Sequence, residues 1–449
     1  MPEFSQDDMA SRQARLAEVV AMILDESRRQ GASAAEAGAT ASNGLSVTVR
    51  LSEVETIEHQ RDNSIGVTVY FGYRKGSAST SDTTPEAIRE TVRAACDGAR
   101  YTTEDIHAGL ADASRMARDL PDLELYHPWA LTPEDAIEVA TRCEDSARGL
   151  DARIVNSEGA SLSLGMGLVV YGNSHGFMGG FPATHHSLSC SVIAGDETGM
   201  QRDDWWTFHC DPAALEAPES VGRRAAEGAL ARLGGQRLTT RRCPVIFRAD
   251  IAVGLLRSLI SAISGSAQYR RSSFLLDALG QTLFPPFVQV FERPQRRRGL
   301  ASAPFDGEGV ATYDKDFVTD GILQSYVLDS YAARKLGRQT TANAGGVRNL
   351  EIQSGTLDRD ALLREMGTGL LVTELLGSGV NLVTGDYSRG AAGFWVEQGV
   401  VQYPVEEITI AGNLKDMFHR LAAVGNDQEH RGSTRTGSWW IEEMTVAGG

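Results

Sequence analysis

The sequence has no excess of basic residues and no long apolar run. Its 43 Lys and Arg against 59 Asp and Glu give a formal net charge of −16. Nucleic acids and anionic lipid surfaces attract basic proteins, so this charge argues against either as a direct partner. The longest apolar runs, such as 167–171 and 369–376, fall short of the roughly 18 residues that cross a bilayer. We therefore expect a chain that binds neither nucleic acid nor membrane.

Cysteine is scarce, and the start of the sequence lacks the features of an export signal. The cysteines are odd in number and form no Cys-x-x-C pair: Cys96, Cys143, Cys190, Cys210 and Cys243. This pattern predicts free thiols in a reducing compartment rather than a disulfide framework. The first residues are polar and acidic, without a basic segment followed by an apolar one, so no secretory signal is predicted. We expect a cytoplasmic protein.

Several common catalytic signatures are also missing. No His is followed by Glu, which excludes the His-Glu-x-x-His zinc helix. No Gly-Lys dipeptide and no Gly-x-Gly-x-x-Gly occur, which excludes a P-loop and the dinucleotide fingerprint. Gly172–Gly176 does match the G-x-S-x-G of hydrolases, but residues 177–182 cannot begin the helix that this motif requires. We therefore interpret Ser174 as a turn residue.

The first 110 residues carry alternating helix and strand patterns. Apolar residues recur at helical spacing over Met9–Arg29, which predicts an amphipathic helix. Alternating apolar residues around Leu45–Leu51 and Val67–Phe71 predict a hairpin with a polar turn near Arg61–Ser64. Thr83–Glu86 form an N-terminal capping signature for a second helix.

Residues 122–235 repeat this order. Thr132–Glu134 open a helix that runs to about Arg148, and a helix around 221–233 closes the unit. Three strand patterns lie between these helices: 153–157, 161–171 and 187–194. The two first helices are roughly 120 residues apart, so we predict a tandem α-β-β-β-α duplication. Residues 106–121 form the connector.

The region 238–449 has a different composition. Gly, at 47 residues in the chain, concentrates here and separates short strand patterns. An apolar helix is predicted over 250–264 and another helix over 413–423. Because Gly permits positive φ and close backbone approach, the pattern is typical of turn-rich β structure. The fold class is therefore α+β: two similar N-terminal α-β-β-β-α modules, residues 1–110 and 122–235, followed by a Gly-rich, mostly β C-terminal domain.

Several long runs, in a fixed order, resemble one family. They are Gly76–Asp82, Tyr171–Gly176, Arg271–Asp277, Gly299–Val310, Ser330–Gly337, Met366–Gly369, Thr384–Trp395, Glu407–Leu414 and Val424–Asp427. With these runs the chain resembles the TldD/PmbA family over nearly its whole length. Their details favour the PmbA branch of that family, also called TldE.

The resemblance implies a difference from the catalytic members of the family. TldD-type members carry a His-Glu-x-x-x-His helix and a cysteine near the C-terminus as metal ligands, and they act as zinc peptidases within a TldD/TldE heterodimer. The corresponding helix here, Gly254–Gly265, contains no His, Cys or carboxylate, and no cysteine follows Cys243. Zinc requires such donors. We therefore expect no catalytic, cofactor or metal residue in this chain, and zinc on a TldD-type partner.

The function that the resemblance implies is that of a PmbA/TldE-type subunit of a TldD/TldE heterodimeric zinc metallopeptidase. Such a complex degrades or matures unfolded peptides, and this chain by itself is expected to be catalytically inactive. Two alternatives stay open: an autonomous homodimeric metallopeptidase with an unrecognised site, and a non-enzymatic peptide-binding or regulatory module. Homodimerisation of the isolated chain also stays open.

The resemblance points to one strand as a peptide-binding or partner-facing element. Its residues are Asp386, Tyr387, Ser388, Arg389 and Gly390. A Gly-rich strand allows the close backbone approach that an extended peptide needs in order to add as a neighbouring strand. For Arg389, pairing with Asp386 or with an external carboxylate in a turn is favoured over direct catalysis.

Overall fold

Two consecutive modules of the same element order begin the fold. The protein is described by a computed structural model over residues 6–448. Residues 1–5 of the predicted first module and residue 449 of the predicted C-terminal domain lie outside the described part. The first module contains α1 (Gln6–Arg29), β1 (Ala34–Arg50), β2 (Glu53–Phe71), β3 (Arg74–Thr80) and α2 (Pro85–Tyr101). The second contains α3 (Pro133–Arg148), β4 (Ile154–Asn173), β5 (Met178–Asp196), β6 (Gly199–His209) and α4 (Pro218–Ala231). The predicted α-β-β-β-α duplication is confirmed.

Local capping signals fix where two of these helices begin. The Thr84 side chain accepts a hydrogen bond from the Ala87 backbone N–H at 3.4 Å, at the start of α2. Thr132 accepts from the Asp135 backbone N–H at 3.1 Å, and the Asp135 carboxylate accepts in return from the Thr132 backbone N–H at 3.0 Å. Such reciprocal capping satisfies backbone donors that have no partner in the first helical turn.

The six strands of the two modules form one antiparallel sheet in the order β3-β2-β1-β4-β5-β6. The first strands of the modules, β1 and β4, pair with each other at its centre, with Gly44 opposite Gly165. Apolar residues alternate with Ser, Thr and Gly along these strands, so only one face of the sheet is apolar. The helices bury that face, as the fully buried Val67 and Leu162 illustrate.

The predicted hairpin turn at Arg61–Ser64 is wrong. The chain turns instead at Leu51 and Ser52, which have φ of 54° and 63°. Residues 61–64 lie inside β2, in the half of that strand that is exposed to solvent on both faces. Their polar side chains reflect this exposure rather than a turn.

Two strand predictions in the second module also need correction. The runs 153–157 and 161–171 belong to the single strand β4, whose pairing with β5 shifts register near Ser157. The predicted strand 187–194 is only the last part of β5, and β6 was not predicted at all. In the turn between β4 and β5, Ser174 accepts a hydrogen bond from the Ala35 backbone N–H at 3.0 Å, which confirms its interpretation as a turn residue.

The C-terminal region consists of short strands and helices around two sheets. Its elements are β7 (Arg241–Phe247), α5 (Ala249–Ala262), α6 (Gly265–Tyr269), β8 (Val290–Glu292), β9 (Lys315–Thr319), β10 (Ile322–Leu323), α7 (Ser330–Lys335), β11 (Leu350–Ile352), α8 (Arg359–Met366), β12 (Gly369–Leu376), β13 (Asp386–Glu397), β14 (Val400–Asn413), α9 (Leu414–His419), β15 (Leu421–Val424), β16 (Thr434–Arg435) and β17 (Trp439–Gly448). The smaller sheet has the order β10-β9-β8-β11-β16.

The larger C-terminal sheet closes on itself. Its order is β14-β13-β12-β7-β17-β15, and β14 also pairs with β17, so five strands form a ring. A core of aromatic and aliphatic side chains fills it, with Phe284 stacked on Phe418 at 4.6 Å between ring centroids. The predicted helix 250–264 is α5. The predicted helix 413–423 is wrong beyond His419, because Leu421 begins a strand that pairs with β17.

The five cysteines are buried and unpaired, as predicted. Burial raises the pKa of the Cys243 thiol to about 11, which keeps it protonated near neutral pH. Across residues 6–448, no helix is long and apolar enough to cross a membrane. The cytoplasmic location stays a prediction.

Candidate functional site

A cleft of about 480 Å³ opens where β6 of the second module meets α5, β12 and β13 of the C-terminal domain. We call it the arginine cleft. Its charged lining residues are Arg202, Arg232, Arg248, Arg257, Arg389, Arg431, Asp203, Asp204, Asp250 and Glu374. Six arginines against four carboxylates leave the lining more positive than the rest of this acidic chain.

An ion pair between Arg248 and Asp250 lies at the start of α5, in the lining of the cleft. Strand β7 ends at Phe247, and Arg248 precedes the helix without a side-chain cap. The Arg248 guanidinium donates two hydrogen bonds to the Asp250 carboxylate, both at 2.7 Å, and a third to the Thr373 carbonyl at 3.2 Å. Burial acts to lower the pKa of Arg248, but the bonds to Asp250 raise it above its ordinary value. This pair ties α5 to β12.

A second arginine stacks on tryptophan to form a wall of the cleft. The Arg431 guanidinium lies 3.7 Å from the Trp205 ring centroid and 5.1 Å from that of Trp206. Its Nε donates to the Glu429 carboxylate at 3.0 Å. Arg224 also lies over Trp205, at 4.8 Å. Cation–π contacts of this kind join β6 to the segment that precedes β16.

Further lining residues come from the end of α4 and from β6. Arg232 forms an ion pair with Glu374 of β12 and donates to the Arg202 carbonyl at 3.0 Å. Burial raises the pKa of the Asp203 carboxyl, while the charge of Arg232 acts in the opposite direction. A Cβ on Gly228 would lie 2.3 Å from the Asp203 carboxylate, so the close approach of α4 to β6 requires glycine there.

Two arginines of the cleft have no carboxylate partner among the described residues. Arg257 is exposed on α5. Arg389 donates from Nη2 to the Gly377 carbonyl at 2.6 Å, while its buried Nε has no hydrogen-bond partner in the described part of the chain. The buried Tyr387 hydroxyl, two residues earlier on the same face of β13, lies beside this guanidinium. Burial raises the pKa of Tyr387 to about 12, although the charge of Arg389 and its hydrogen bonding to the hydroxyl act against this.

The residues of the cleft do not fit zinc. Within its described lining there is no imidazole or thiol, and the carboxylates of Asp250 and Glu374 already accept bonds from arginines. Helix α5 presents Asp250, Ile251, Val253, Gly254 and Arg257 to the cleft, and its one carboxylate there is the Asp250 group paired with Arg248. Over residues 6–448, no group of three or more His, Cys, Asp or Glu is placed to hold a metal ion. Zinc peptidase sites need such a group.

The predicted strand Asp386–Gly390 forms the start of β13, and both of its edges are occupied. On one side it pairs with β14. On the other side, the Ser388 N–H donates to the Gly379 carbonyl at 2.7 Å, and the Asn381 N–H donates to the Asp386 carbonyl at 2.8 Å. A peptide strand could add here only by displacing one of these neighbouring segments, because both backbone edges are paired.

The side chains of this strand point to different surroundings. Asp386 accepts hydrogen bonds from Thr384 and Asn413, so the expected Arg389–Asp386 pair is not formed. Ser388 is exposed and Tyr387 is buried. Of the five predicted residues, only Arg389 lines the arginine cleft. A role in binding peptide or partner stays a prediction for this strand.

Sequence reasoning missed most of the cleft. Its arginines come from β6, α4, α5, β13 and the segment before β16, so no fixed spacing marks them. The available signal was Arg257, which lies in the run Gly254–Gly265 that the resemblance places opposite the zinc helix of TldD-type proteins.

A second candidate surface is an open strand edge. Strand β3 pairs only with residues 65–71 of β2, so no other described strand pairs with the remaining edge, residues 53–64. All of these residues are exposed, and the apolar side chains of Val54 and Ile57 are 47% and 45% exposed. Long exposed edges are templates for pairing with another chain.

Comparisons with known proteins match the whole chain. The models of the PmbA/TldA metallopeptidase family match in series: domain 1 over residues 35–99, the central domain over 126–233 and the C-terminal domain over 240–448. The chain is 49% identical to Metalloprotease PmbA of Escherichia coli O157:H7 over 414 residues, which are 92% of each chain. It is 46% identical to the Metalloprotease PmbA homolog of Haemophilus influenzae over 441 residues, 98% of each.

Solved structures show the same fold. A putative modulator of DNA gyrase from Bacteroides thetaiotaomicron superposes with a TM-score of 0.92 at 27% identity, over 99% of this chain and 100% of that one. TldE from Thermococcus kodakarensis superposes with a TM-score of 0.83 at 19% identity, over 96% and 100%, and supports the fold alone. From its family domains, its relatives and its α+β architecture, this chain belongs to the PmbA/TldD family of metallopeptidases, in the PmbA/TldE branch.

Proposed function

We propose that this chain is the zinc-free subunit of a cytoplasmic TldD/TldE heterodimeric metallopeptidase that degrades or matures unfolded peptides. Zinc and the catalytic base lie on a TldD-type partner. The observation that carries the proposal is helix α5, which offers no imidazole or thiol to the arginine cleft and whose one carboxylate there, that of Asp250, is paired with Arg248.

Electrostatics support the assignment of zinc to the partner. Arg248 and Arg232 already pair with Asp250 and Glu374, so a divalent cation at either carboxylate would meet a bound guanidinium. Two like charges at about 4 Å repel by roughly 4 kcal/mol at the effective dielectric constant of a protein surface. Arginine stays protonated at any pH where the protein is folded, so this repulsion cannot be relieved by losing a proton. The carboxylates of Asp250 and Glu374 are therefore poor ligands for a metal cation.

The open edge of β2 supports the proposed heterodimer. Residues 53–64 offer unpaired backbone groups, and Val54 and Ile57 add exposed apolar surface. A partner strand that paired with this edge would satisfy the backbone groups and cover the apolar side chains. We assign this edge to the contact with the TldD-type subunit.

The experiment compares the purified chain alone with the chain co-purified with a TldD-type protein. We expect one heterodimer by size-exclusion chromatography with light scattering. Elemental analysis should find zinc only in preparations that contain the partner. Cleavage of an unstructured peptide should require both chains and should be lost on chelation.

Other outcomes identify the alternatives. Zinc together with chelator-sensitive cleavage in the isolated chain contradicts the proposal and favours an autonomous, homodimeric metallopeptidase. Failure to form a complex with the TldD-type protein, with no activity in either preparation, favours a peptide-binding or regulatory module.

A further inference from the structure

Residues 123–129, which we call the strap, lie between strand β5 of the second module and a loop of the C-terminal domain. On the C-terminal side, the Arg298 backbone N–H donates to the Leu123 carbonyl at 2.8 Å. The Arg298 guanidinium also donates to the Glu124 carboxylate at 3.0 Å. The side chains of Leu123 and Leu125 are buried. The strap is therefore part of the contact between the second module and the C-terminal domain.

Thr184 and His186 of β5 fasten the strap on its other side. The Thr184 backbone N–H donates to the Leu125 carbonyl at 2.9 Å, and the Thr184 hydroxyl accepts from the His127 backbone N–H at 2.8 Å. His186 Nε2 donates to the His127 carbonyl at 2.9 Å. The His186 ring also meets the Trp129 ring edge-on, with 5.7 Å between the ring centroids. His186 thus contacts the strap at two places.

The surroundings of His186 suit a neutral imidazole. Only 2% of His186 is exposed. Because Nε2 carries the hydrogen that bonds to the His127 carbonyl, Nδ1 of the neutral ring is an acceptor, and it has no hydrogen-bond partner within residues 6–448. Protonation would add an N–H at Nδ1 and leave a charged donor buried without an acceptor. Such a group is costly until it reaches water, which movement of the strap would allow.

The charged and titratable groups around His186 do not supply the missing acceptor. They are Glu124 and His127 on the strap, His185 on β5, His209 and Asp211 at the end of β6, and Arg298 in the C-terminal loop. The carboxylates of Glu124 and Asp211 both pair with Arg298.

Burial lowers the pKa of His186 from 6.5, and the neighbouring His185 and His127 act in the same direction. The bond to the His127 carbonyl and the charge of Asp211 oppose this change. Since the folded protein holds this proton less tightly than the unfolded chain, the stabilisation is fully present above pH 6.5 and decreases as the pH falls below that value.

We propose that His186 is a pH-sensitive switch, whose protonation releases the strap from β5 and opens the contact between the second module and the C-terminal domain. The neutral ring holds the strap, and the charged ring reaches water when the strap moves away. The release is local, because β1 and β4, which pair at the centre of the N-terminal sheet, contain no histidine.

The test is hydrogen exchange followed by mass spectrometry on the isolated full-length chain, at several pH values from 7.5 to 5. Labelling times are corrected for the pH dependence of intrinsic exchange. We expect peptides that cover residues 123–129 to exchange at least about tenfold faster at pH 5 than at pH 7.5. Peptides from β1 and β4 should stay protected throughout, which separates release of the strap from global unfolding.

Substitutions identify the titrating group. His186→Gln keeps an N–H that can donate to the His127 carbonyl but gains no proton in this pH range, so its strap should exchange equally at pH 7.5 and pH 5. His59→Gln, at an exposed histidine of β2, is the matched control and should respond to pH as the native protein does. Thermal unfolding checks that each variant is folded.

A second measurement uses the native protein alone. NMR of isotope-labelled histidine rings follows His186, whose signals are identified by their contacts with Trp129. We expect the midpoint of its titration to coincide with the midpoint of strap release.

Three results overturn the proposal. The first is equal exchange of the strap at pH 7.5 and pH 5 in the native protein. The second is a folded His186→Gln variant whose strap still responds to pH as the native strap does. The third is a His186 titration midpoint that differs from that of strap release. None of them bears on the proposed heterodimer, because every measurement is made on the isolated chain.

Discussion

The carboxyl group of Glu308 gives a quantitative test of how the two halves of the fold are joined. Glu308 accepts a hydrogen bond from the Ser330 backbone N–H at 3.0 Å. Its negative charge also helps to raise the pKa of Tyr70 and of Tyr171. The hydroxyls of these two tyrosines each donate a hydrogen bond to Glu36 at 2.8 Å. Glu308 thus lies where the C-terminal domain meets the central strands of the N-terminal sheet, and its protonation affects this contact.

Burial raises the pKa of Glu308 from 4.5 to about 7, with a smaller contribution from the charge of Asp306. Because the folded protein holds this proton more tightly than the unfolded chain, the resulting stability is fully present below about pH 4.5. It decreases as the pH rises and is lost above about pH 7. At about 1.4 kcal/mol for each pH unit in this window, the change in the free energy of unfolding is about 3 kcal/mol.

Glu308→Gln removes the titrating group and keeps an oxygen that can accept from Ser330. We expect the variant to be more stable than the native protein at pH 8, by up to about 3 kcal/mol, and nearly equal to it at pH 4.5. Urea unfolding at several pH values, followed by tryptophan fluorescence, measures the difference. Glu365→Gln, exposed on α8, is the control and should change neither value. Parallel stability curves for the native protein and Glu308→Gln between pH 4.5 and 8 would refute the reasoning.

Two further predictions concern the partner-facing edge and the C-terminal core. The double substitution Val54→Lys/Ile57→Lys should abolish the complex with a TldD-type protein in size-exclusion chromatography without lowering the melting temperature. The control Val155→Lys, at another exposed valine, should leave the complex intact. If Val54→Lys/Ile57→Lys retains the complex, this edge is excluded as the contact. Glu292→Gln should lower the free energy of unfolding in urea by about 3–5 kcal/mol, because Lys315, 2.9 Å away and nearly fully buried, loses its counter-ion. Glu292→Gln/Lys315→Met should recover part of that loss, and a cost below about 1 kcal/mol for Glu292→Gln would contradict the argument.

Features set by local chemistry were predictable from the sequence. Thr84 and Thr132 cap their helices as predicted, because a cap depends on residues within one helical turn. The hairpin turn was predicted at the wrong place because residues 61–64 are polar but belong to strand β2. Both faces of this part of β2 are exposed, so its polar composition is like that of a turn. The pairing of β1 with β4 joins residues more than a hundred positions apart, and no local pattern encodes it.

Little of the candidate site could be predicted from the sequence. Gly254–Gly265 contains no His, Cys or carboxylate, and the expectation that this chain holds no zinc stays a prediction. The cleft itself could not be predicted, because its arginines line one opening only after β6, α5, β12 and β13 pack together. The strand Asp386–Gly390 was singled out for its Gly-rich backbone, yet its backbone is fully paired and its contribution to the cleft is a side chain, that of Arg389.

The ion pairs around the cleft are difficult to explain by stability alone. Replacing a buried ion pair with well-packed apolar residues is often neutral or stabilising, so pairs such as Arg248–Asp250 are weak evidence for a role in folding. Here the pairs join elements that line the cleft: Arg248–Asp250 lies where β7 leads into α5, and Arg232–Glu374 joins the end of α4 to β12. They therefore fix how the second module meets the C-terminal domain, with a geometric specificity that apolar side chains at these positions would not supply.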